Sequence, residues 1–289
     1  MSSVPTNDTS QDTSDNDSKL VGRRSLLKGA AAAAAVALVG VATAGATEKL
    51  ATLGATEDPY QDPLRPTLPN PDMRLDLTRA ALVIIDPQID FLSPKGVSWK
   101  LFGESVEEHN TVANIGHLLE AAKRSGIPVA ISPHYYYPYD HKWKFGGPLE
   151  MLMHQIGMFD RRSAVSLAGF EGSGADFMPE YKTYIEDGKT IIASPHKMYG
   201  PQQNDLALQL RKQRVDQVIL GGMSANLCVE SHLRHLLEEG FEVAVVRDST
   251  ASPKIPEGDG YLSFITNCRY IANALWTTDE TVQKLRSKT

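Results

Sequence analysis

Six short apolar runs constrain this chain most: "ALVIID", "IPVAI", "TIIAS", "QVIL", "EVAVV" and "ALWTT". Apolar residues follow one another in them without polar alternation. Such runs suit strands covered on both faces, as in a parallel sheet. Helical patterns separate them. "SVEEHNTVANIGHLLEAAKRSG" sets Val106, Val112, Ile115, Leu118 and Leu119 on one stripe, and Gly126 stops it. "NDLALQLRK", "NLCVESHLRHLLEEG" and "GYLSFITNCRYIANA" read as the later helices. Alternating strands and helices imply parallel pairing through crossover connections. The expected fold is α/β: a three-layer, doubly wound sandwich with a mostly parallel six-stranded sheet and helices on both faces. Ligands are then expected beyond the carboxyl ends of the strands.

Composition narrows the function classes. The 289 residues carry a net charge of -6, with 42% hydrophobic and 22% charged residues. No basic excess for nucleic acid is present. Two cysteines, Cys228 and Cys268, make no disulfide framework, and no CxxC or His/Cys cluster suggests zinc.

The chain divides into three stretches. Residues 1–46 open on a polar segment without periodicity, expected to be disordered. They continue through Arg23, Arg24, Leu26, Leu27 and Lys28 into an Ala-rich apolar run, and end on "AGA" at Ala44 to Ala46. This looks like a twin-arginine export signal with a small-residue cleavage site. A membrane anchor is the weaker alternative, since the run is short and mostly Ala and Gly. Export of an already folded chain places the protein in the periplasm or outside the cell, with the export machinery as a partner. A lack of disulfides then does not contradict export. Residues 47–75 contain "DPYQDPLRPTLPNPD" and read as a Pro-rich linker. Residues 76–289 form the domain. Within it, His134 to Gly188 is an irregular excursion rich in aromatics and glycine, expected to wall a pocket.

Three polar residues follow strand runs: Asp86 after "ALVII", Lys197 after "TIIASPH", and Cys228 after "VILGGMSANL". Each has an ordinary reading as a cap, a solvated loop residue or core packing. Parallel strands nonetheless bring their carboxyl ends to one edge. A carboxylate, a cation and a thiol together suit acyl transfer.

From about Leu77 to Leu285 the sequence resembles the isochorismatase-like cysteine hydrolases, which include nicotinamidases, N-carbamoylsarcosine amidases, ureidoacrylate hydrolases and isochorismatases. "ALVIIDPQIDF", "NIGHLLEAAKRSGIPVAIS" and "ILGGMSANLCVESHLRHLLEEGFEVAVVRDSTAS" carry the resemblance. It implies an Asp-Lys-Cys triad, here Asp86, Lys197 and Cys228. It also implies a cis peptide at Met223–Ser224, with the N–H groups of Ser224 and Cys228 as oxyanion donors. The helix start and the Lys197 ammonium are expected to favour the thiolate, and Asp86 to move its proton.

Departures from the family pattern are visible. Ala225 and Asn226 replace the usual Thr-Asp, with Asn226 expected to cap the helix. The lysine region is spelled differently, which leaves a shifted placement open. Ser132 stands where nicotinamidases have a metal-binding Asp. His134, Asp140 and His141 remain nearby, and no metal or other cofactor is expected, although a metal near His134 and His141 stays open. Gln88, Phe91, His134, Tyr135, Trp143 and Tyr199 are candidate pocket walls. Cys268 is expected to pack, and His232 and His235 to be surface or interface residues. The reading is an exported hydrolase of a non-peptide C–N bond in a small amide or ureido substrate, expected to self-associate. Vinyl-ether hydrolysis, a catalytically idle binding or assembly protein, and single-cysteine redox work remain alternatives.

Overall fold

The computed structural model describes residues 58–69 and 73–286. The export-signal reading and the start of the Pro-rich segment lie outside them. Six strands form one sheet: β1 (Ala80–Ile85), β2 (Val129–Ser132), β3 (Ile191–Ile192), β4 (Gln217–Gly222), β5 (Glu242–Val246) and β6 (Ala274–Trp276). Their spatial order is β3-β2-β1-β4-β5-β6, and every pair is parallel. The order reverses direction between β1 and β4, which is the switch point of a doubly wound sheet. Residues Lys254–Ile255 and Gly258–Asp259 form a separate antiparallel pair.

Unbroken apolar runs are required because both faces of the sheet are covered. Alternate β1 residues enter opposite cores. Leu82 and Ile84 pack with Ile115, Leu118 and Leu119. Ala81, Val83 and Ile85 pack with Leu210, Leu233 and Phe264. The first core is completed by α1 (Trp99–Glu108), α2 (Thr111–Ser125), α3 (Pro148–Ile156) and, through Leu285, α7 (Thr278–Arg286). The second is covered by α4 (Leu206–Lys212), α5 (Glu230–Glu238) and α6 (Gly260–Ile271), with Cys268 buried among its side chains.

Local detail departs from the sequence reading in two places. The helical pattern from Ser105 to Gly126 is not one helix. It breaks at His109 and Asn110, where Asn110 takes φ 50°, a left-handed conformation that Asn tolerates. Gly126 ends α2 at φ 80°, as expected of its position. The described part of the Pro-rich segment is tied to the domain. Tyr60 Oη donates to Asp259 at 2.7 Å, and Arg247 and Arg269 both bond Asp62. Among the described residues no helix is long and apolar enough to cross a membrane.

Candidate active site

Four adjacent strands each deliver one polar side chain beyond their carboxyl ends: His196 after β3, His134 after β2, Asp86 after β1 and Cys228 after β4. One N, O or S atom from each lies within 4.8 Å of the other three, and all four residues are buried.

Strand pairing and one unusual backbone turn fix Asp86. Its N–H donates to Ser132 O on β2 at 3.1 Å, and Met223 N at the end of β4 donates to Ile85 O at 2.8 Å. Asp86 itself has φ 47°, which turns its side chain out of strand register. Gly222 permits the close approach. A Cβ there would lie 2.1 Å from Ile85 O, and its φ is 112°.

Cys228 lies in a single π-helical turn, Ala225–Val229, ahead of α5. Such turns recur at functional sites. The Met223–Ser224 peptide is cis. The backbone N–H groups of Ser224 and Cys228 converge on the sulfur and pull its pKa down. They are outweighed. Burial first, then the Asp86 charge, push the thiol well above its ordinary range. Burial and the Asp86 charge thus oppose the thiolate that the turn's N–H groups favour.

Hydrogen-bond partners settle the histidine protons. His232 Nδ1 lies 2.6 Å from Cys228 O, and a carbonyl can only accept, so Nδ1 carries the proton. Its Nε2 then accepts from Ser132 Oγ at 2.9 Å, and that oxygen accepts from Asn204 Nδ2. Burial holds His232 well below the usual histidine range, in keeping with a neutral ring. His232 is thus a buried support of the Cys228 backbone and not a surface residue. By the same reasoning His196 Nδ1 donates to Met198 O at 3.0 Å. Its Nε2 faces Asp86 Oδ1 at 2.9 Å. That contact holds one proton, as a carboxylate–imidazolium pair or a carboxylic acid–imidazole pair. Burial raises the Asp86 pKa, and His196 opposes the rise.

Lys197 is placed differently. Its ammonium donates to Tyr135 O at 2.9 Å, pairs with Asp140 and lies 3.9 Å from the Tyr137 ring centre. The side chain bonded to Asp86 belongs to its neighbour, His196. Sequence reasoning missed His196, yet a signal existed. The tripeptide Ser-Pro-His occurs twice, at residues 132–134 and 194–196, after two strands that pair, and His134 and His196 form a parallel bridge.

The remaining candidates sort by position. Gln88 clips the backbone of the next strand's loop: its amide accepts from His134 N and donates to His134 O and Ala175 O. Phe91 and Tyr199 line a narrow cleft of about 10 Å³ that ends on Ser224 and Cys228. Phe102, Met153, Met158 and Leu227 complete its apolar walls. Met153 and Met158, together with Leu149 beside them, come from the excursion. Tyr135 is buried under Phe170 and Arg161, and Trp143 packs beside Tyr136 and His154. His141 bonds Asp160 and His154, away from the ring of His134. Asn226 does not cap. Ser224 begins the turn, and Asn226 accepts from Ser252 Oγ. A larger surface groove, lined by His117, Arg124 and Asp279 among others, contains none of these residues.

Known proteins agree with this architecture. The isochorismatase domain model matches residues 80–275. A ureidoacrylate amidohydrolase, RutB, of Stutzerimonas stutzeri is 26% identical over 203 residues, covering 68% of this chain and 78% of its own. A cysteine hydrolase of Pseudomonas syringae pv. phaseolicola superposes with TM-score 0.60 at 19% identity, over 76% of this chain and 98% of its own. The N-carbamoylsarcosine amidase of Thermoplasma acidophilum superposes with TM-score 0.50 at 20% identity, over 70% and 97%. These similarities, on a sheet whose switch point holds a buried thiol and carboxylate, place the chain in the isochorismatase family of hydrolases.

Proposed function

We propose that the protein hydrolyses a C–N bond of a small amide or ureido compound through a thioester on Cys228. The observation that carries this reading is the buried approach of Cys228 to Asp86, with Cys228 at the end of an apolar cleft. The names of the ureidoacrylate and carbamoylsarcosine relatives support the bond type. The cavity walls support a substrate with an apolar portion.

Cys228 Sγ attacks the carbonyl carbon while its proton passes to Asp86. Burial raises the carboxylate pKa and makes it a stronger base than an ordinary Asp. The developing oxyanion is received by the N–H groups of Ser224 and Cys228. Asp86 then hands the proton to the departing nitrogen, and the C–N bond breaks as the thioester forms. Water, deprotonated by Asp86, releases the acid and restores the thiol. His196 takes the third position beside Asp86, the one the sequence pattern assigns to Lys197. It holds the carboxylate in place through Nε2 and can balance its charge.

Twin-arginine export to the periplasm or beyond is part of the proposal, supported by Arg23, Arg24 and the apolar run after them. Self-association is also part of it, supported by the exposed Phe145, Met151, Val165 and Leu167 of the excursion.

A panel of small amides and ureido compounds tests the reading. Ammonia or amine release is expected from at least one, together with an acyl adduct on Cys228 in intact-mass spectra. Cys228→Ala and Asp86→Asn should abolish both with the fold retained. Turnover that survives Cys228→Ala overturns it.

A further inference from the structure

We infer that Asp86, His134, His196 and Cys228 together form a binding site for a zinc-class divalent ion, which silences the thiol while it is bound. The inference stands on the geometry of these four side chains and does not depend on which bond the enzyme cleaves.

The first observation is the donor set. One thiol sulfur, two imidazole nitrogens and one carboxylate oxygen lie within 4.8 Å of one another. Four donors of this mixture suit a tetrahedral zinc-class ion and do not suit magnesium or calcium, which take oxygen ligands. Ligand bonds of about 2.0–2.3 Å put tetrahedral edges at roughly 3.3–3.6 Å. The longest separation therefore has to close by about 1 Å, which side-chain rotation supplies.

The second observation is independent of the first. His134 is fully buried, yet neither of its ring nitrogens has a hydrogen-bond partner. The Lys197 main chain approaches the ring without forming a hydrogen bond. Asp86 Oδ2 is buried and unpartnered as well. Buried polar groups are normally satisfied, and leaving one orphaned is costly. His134 uses its backbone, not its ring, to hold Gln88, so the ring is left aimed into the cluster with nothing to bind. A cation coordinated there would satisfy the imidazole and the carboxylate together.

The third observation is support behind the ligands. His196 Nδ1–H is fixed on Met198 O, which leaves Nε2 as the coordinating atom. The Cys228 carbonyl is held by His232, and the His134 peptide by Gln88. Such outer contacts orient metal ligands.

Charge also balances. Binding expels two protons: the thiol proton and the one shared between Asp86 and His196 Nε2. The product is a thiolate, a carboxylate, two neutral imidazoles and a dication, a site with no net charge. Neutrality suits a fully buried cluster, where an uncompensated charge is expensive. With all four positions filled, one sulfur lone pair is bonded to the ion, the thiolate charge is drawn onto it, and attack on a carbonyl is suppressed. The metal-bound form is idle and protected from alkylation, and the metal-free form carries the hydrolase chemistry.

Titration of chelator-treated full-length protein with Co²⁺ tests this. The expected result is a near-ultraviolet sulfur-to-cobalt charge-transfer band and strong visible bands of four-coordinate cobalt, saturating at one ion per chain. Cys228→Ser should remove the charge-transfer band, and Cys268→Ser should leave it. His134→Ala should weaken binding at least tenfold, whereas His141→Ala should not change it. Added Zn²⁺ should displace the cobalt and slow iodoacetamide labelling of Cys228, located by peptide mass mapping, at least tenfold. Absence of the band in the unmodified protein, its survival in Cys228→Ser, or unchanged affinity in His134→Ala would each overturn the site. None of these readings uses a substrate, so failure of the metal site and failure of the thioester reading are separate results.

Discussion

His196 Nε2 lies 2.9 Å from Asp86 Oδ1, with both side chains fully buried, while the neighbouring Lys197 ammonium is bonded to Tyr135 O. Two consecutive residues thus face opposite ways, and the inward one is the histidine. The contrast yields a direct test. On any amide that the enzyme cleaves, His196→Ala should lower kcat/KM by up to about 10²–10⁴, the whole contribution of the proton transfer through Asp86 that it holds in place. Lys197→Ala should lower it less than about tenfold and cost instead about 1–2 kcal/mol of stability through the lost Tyr135 and Asp140 bonds. The opposite ranking in steady-state kinetics would return the third position to Lys197.

Gly222 should tolerate no side chain. Its φ of 112° and the 2.1 Å separation between a built Cβ and Ile85 O leave no room where β4 meets β1. Gly222→Ala is expected to destabilise the domain by more than about 2 kcal/mol. Urea unfolding followed by circular dichroism measures this, and a midpoint equal to that of the unmodified protein would contradict it.

Asp90 is a buried carboxylate outside the reacting cluster. Its Oδ2 accepts from Phe159 N at 2.7 Å and its Oδ1 from Val97 N at 3.2 Å, so it joins the first loop to the excursion that walls the cavity. Asp90→Ala leaves two backbone donors without their acceptor and should cost about 2–4 kcal/mol. Limited proteolysis should then cut first within the excursion. Unchanged stability and protection would show that Asp90 is not its anchor.

The Lys123–Asp187 pair gives a defined pH response. Lys123 donates to Asp187 at 2.6 Å, and this hydrogen bond, the largest cause, holds the Asp187 pKa at about 2 from an ordinary 3.8. A carboxylate with a depressed folded-state pKa stabilises the fold above its unfolded-state value. That stability disappears as pH falls through the folded-state value. Solvent screening limits the pair to about 1 kcal/mol. Asp187→Asn should therefore lower Tm at pH 7, and the difference from the unmodified protein should shrink between pH 4 and pH 2. A difference that stays constant over that interval would exclude the pair as its source.

Much of the architecture is legible in the residues. Runs such as Ala81–Ile85 and Val243–Val246 have no polar face, which suits a sheet covered on both sides. Their alternation with amphipathic helices fixes parallel order, and parallel order sends Asp86 and Cys228 to one edge. His232 was misread as a surface residue, although its spacing of four from Cys228 carried the signal that its ring could reach the Cys228 carbonyl. Three things were decided only by tertiary packing. Asn110 divides a continuous helical stripe, because left-handed backbone there lets α1 and α2 leave in different directions. The excursion acquires its role only when Met153 and Met158 meet Phe91 across the cavity. And β3 is two residues long, so no periodicity says whether His196 or Lys197 turns inward. Pairing of β3 with β2 makes that choice by aligning His196 with His134, and a single strand carries no record of the neighbour that will orient it.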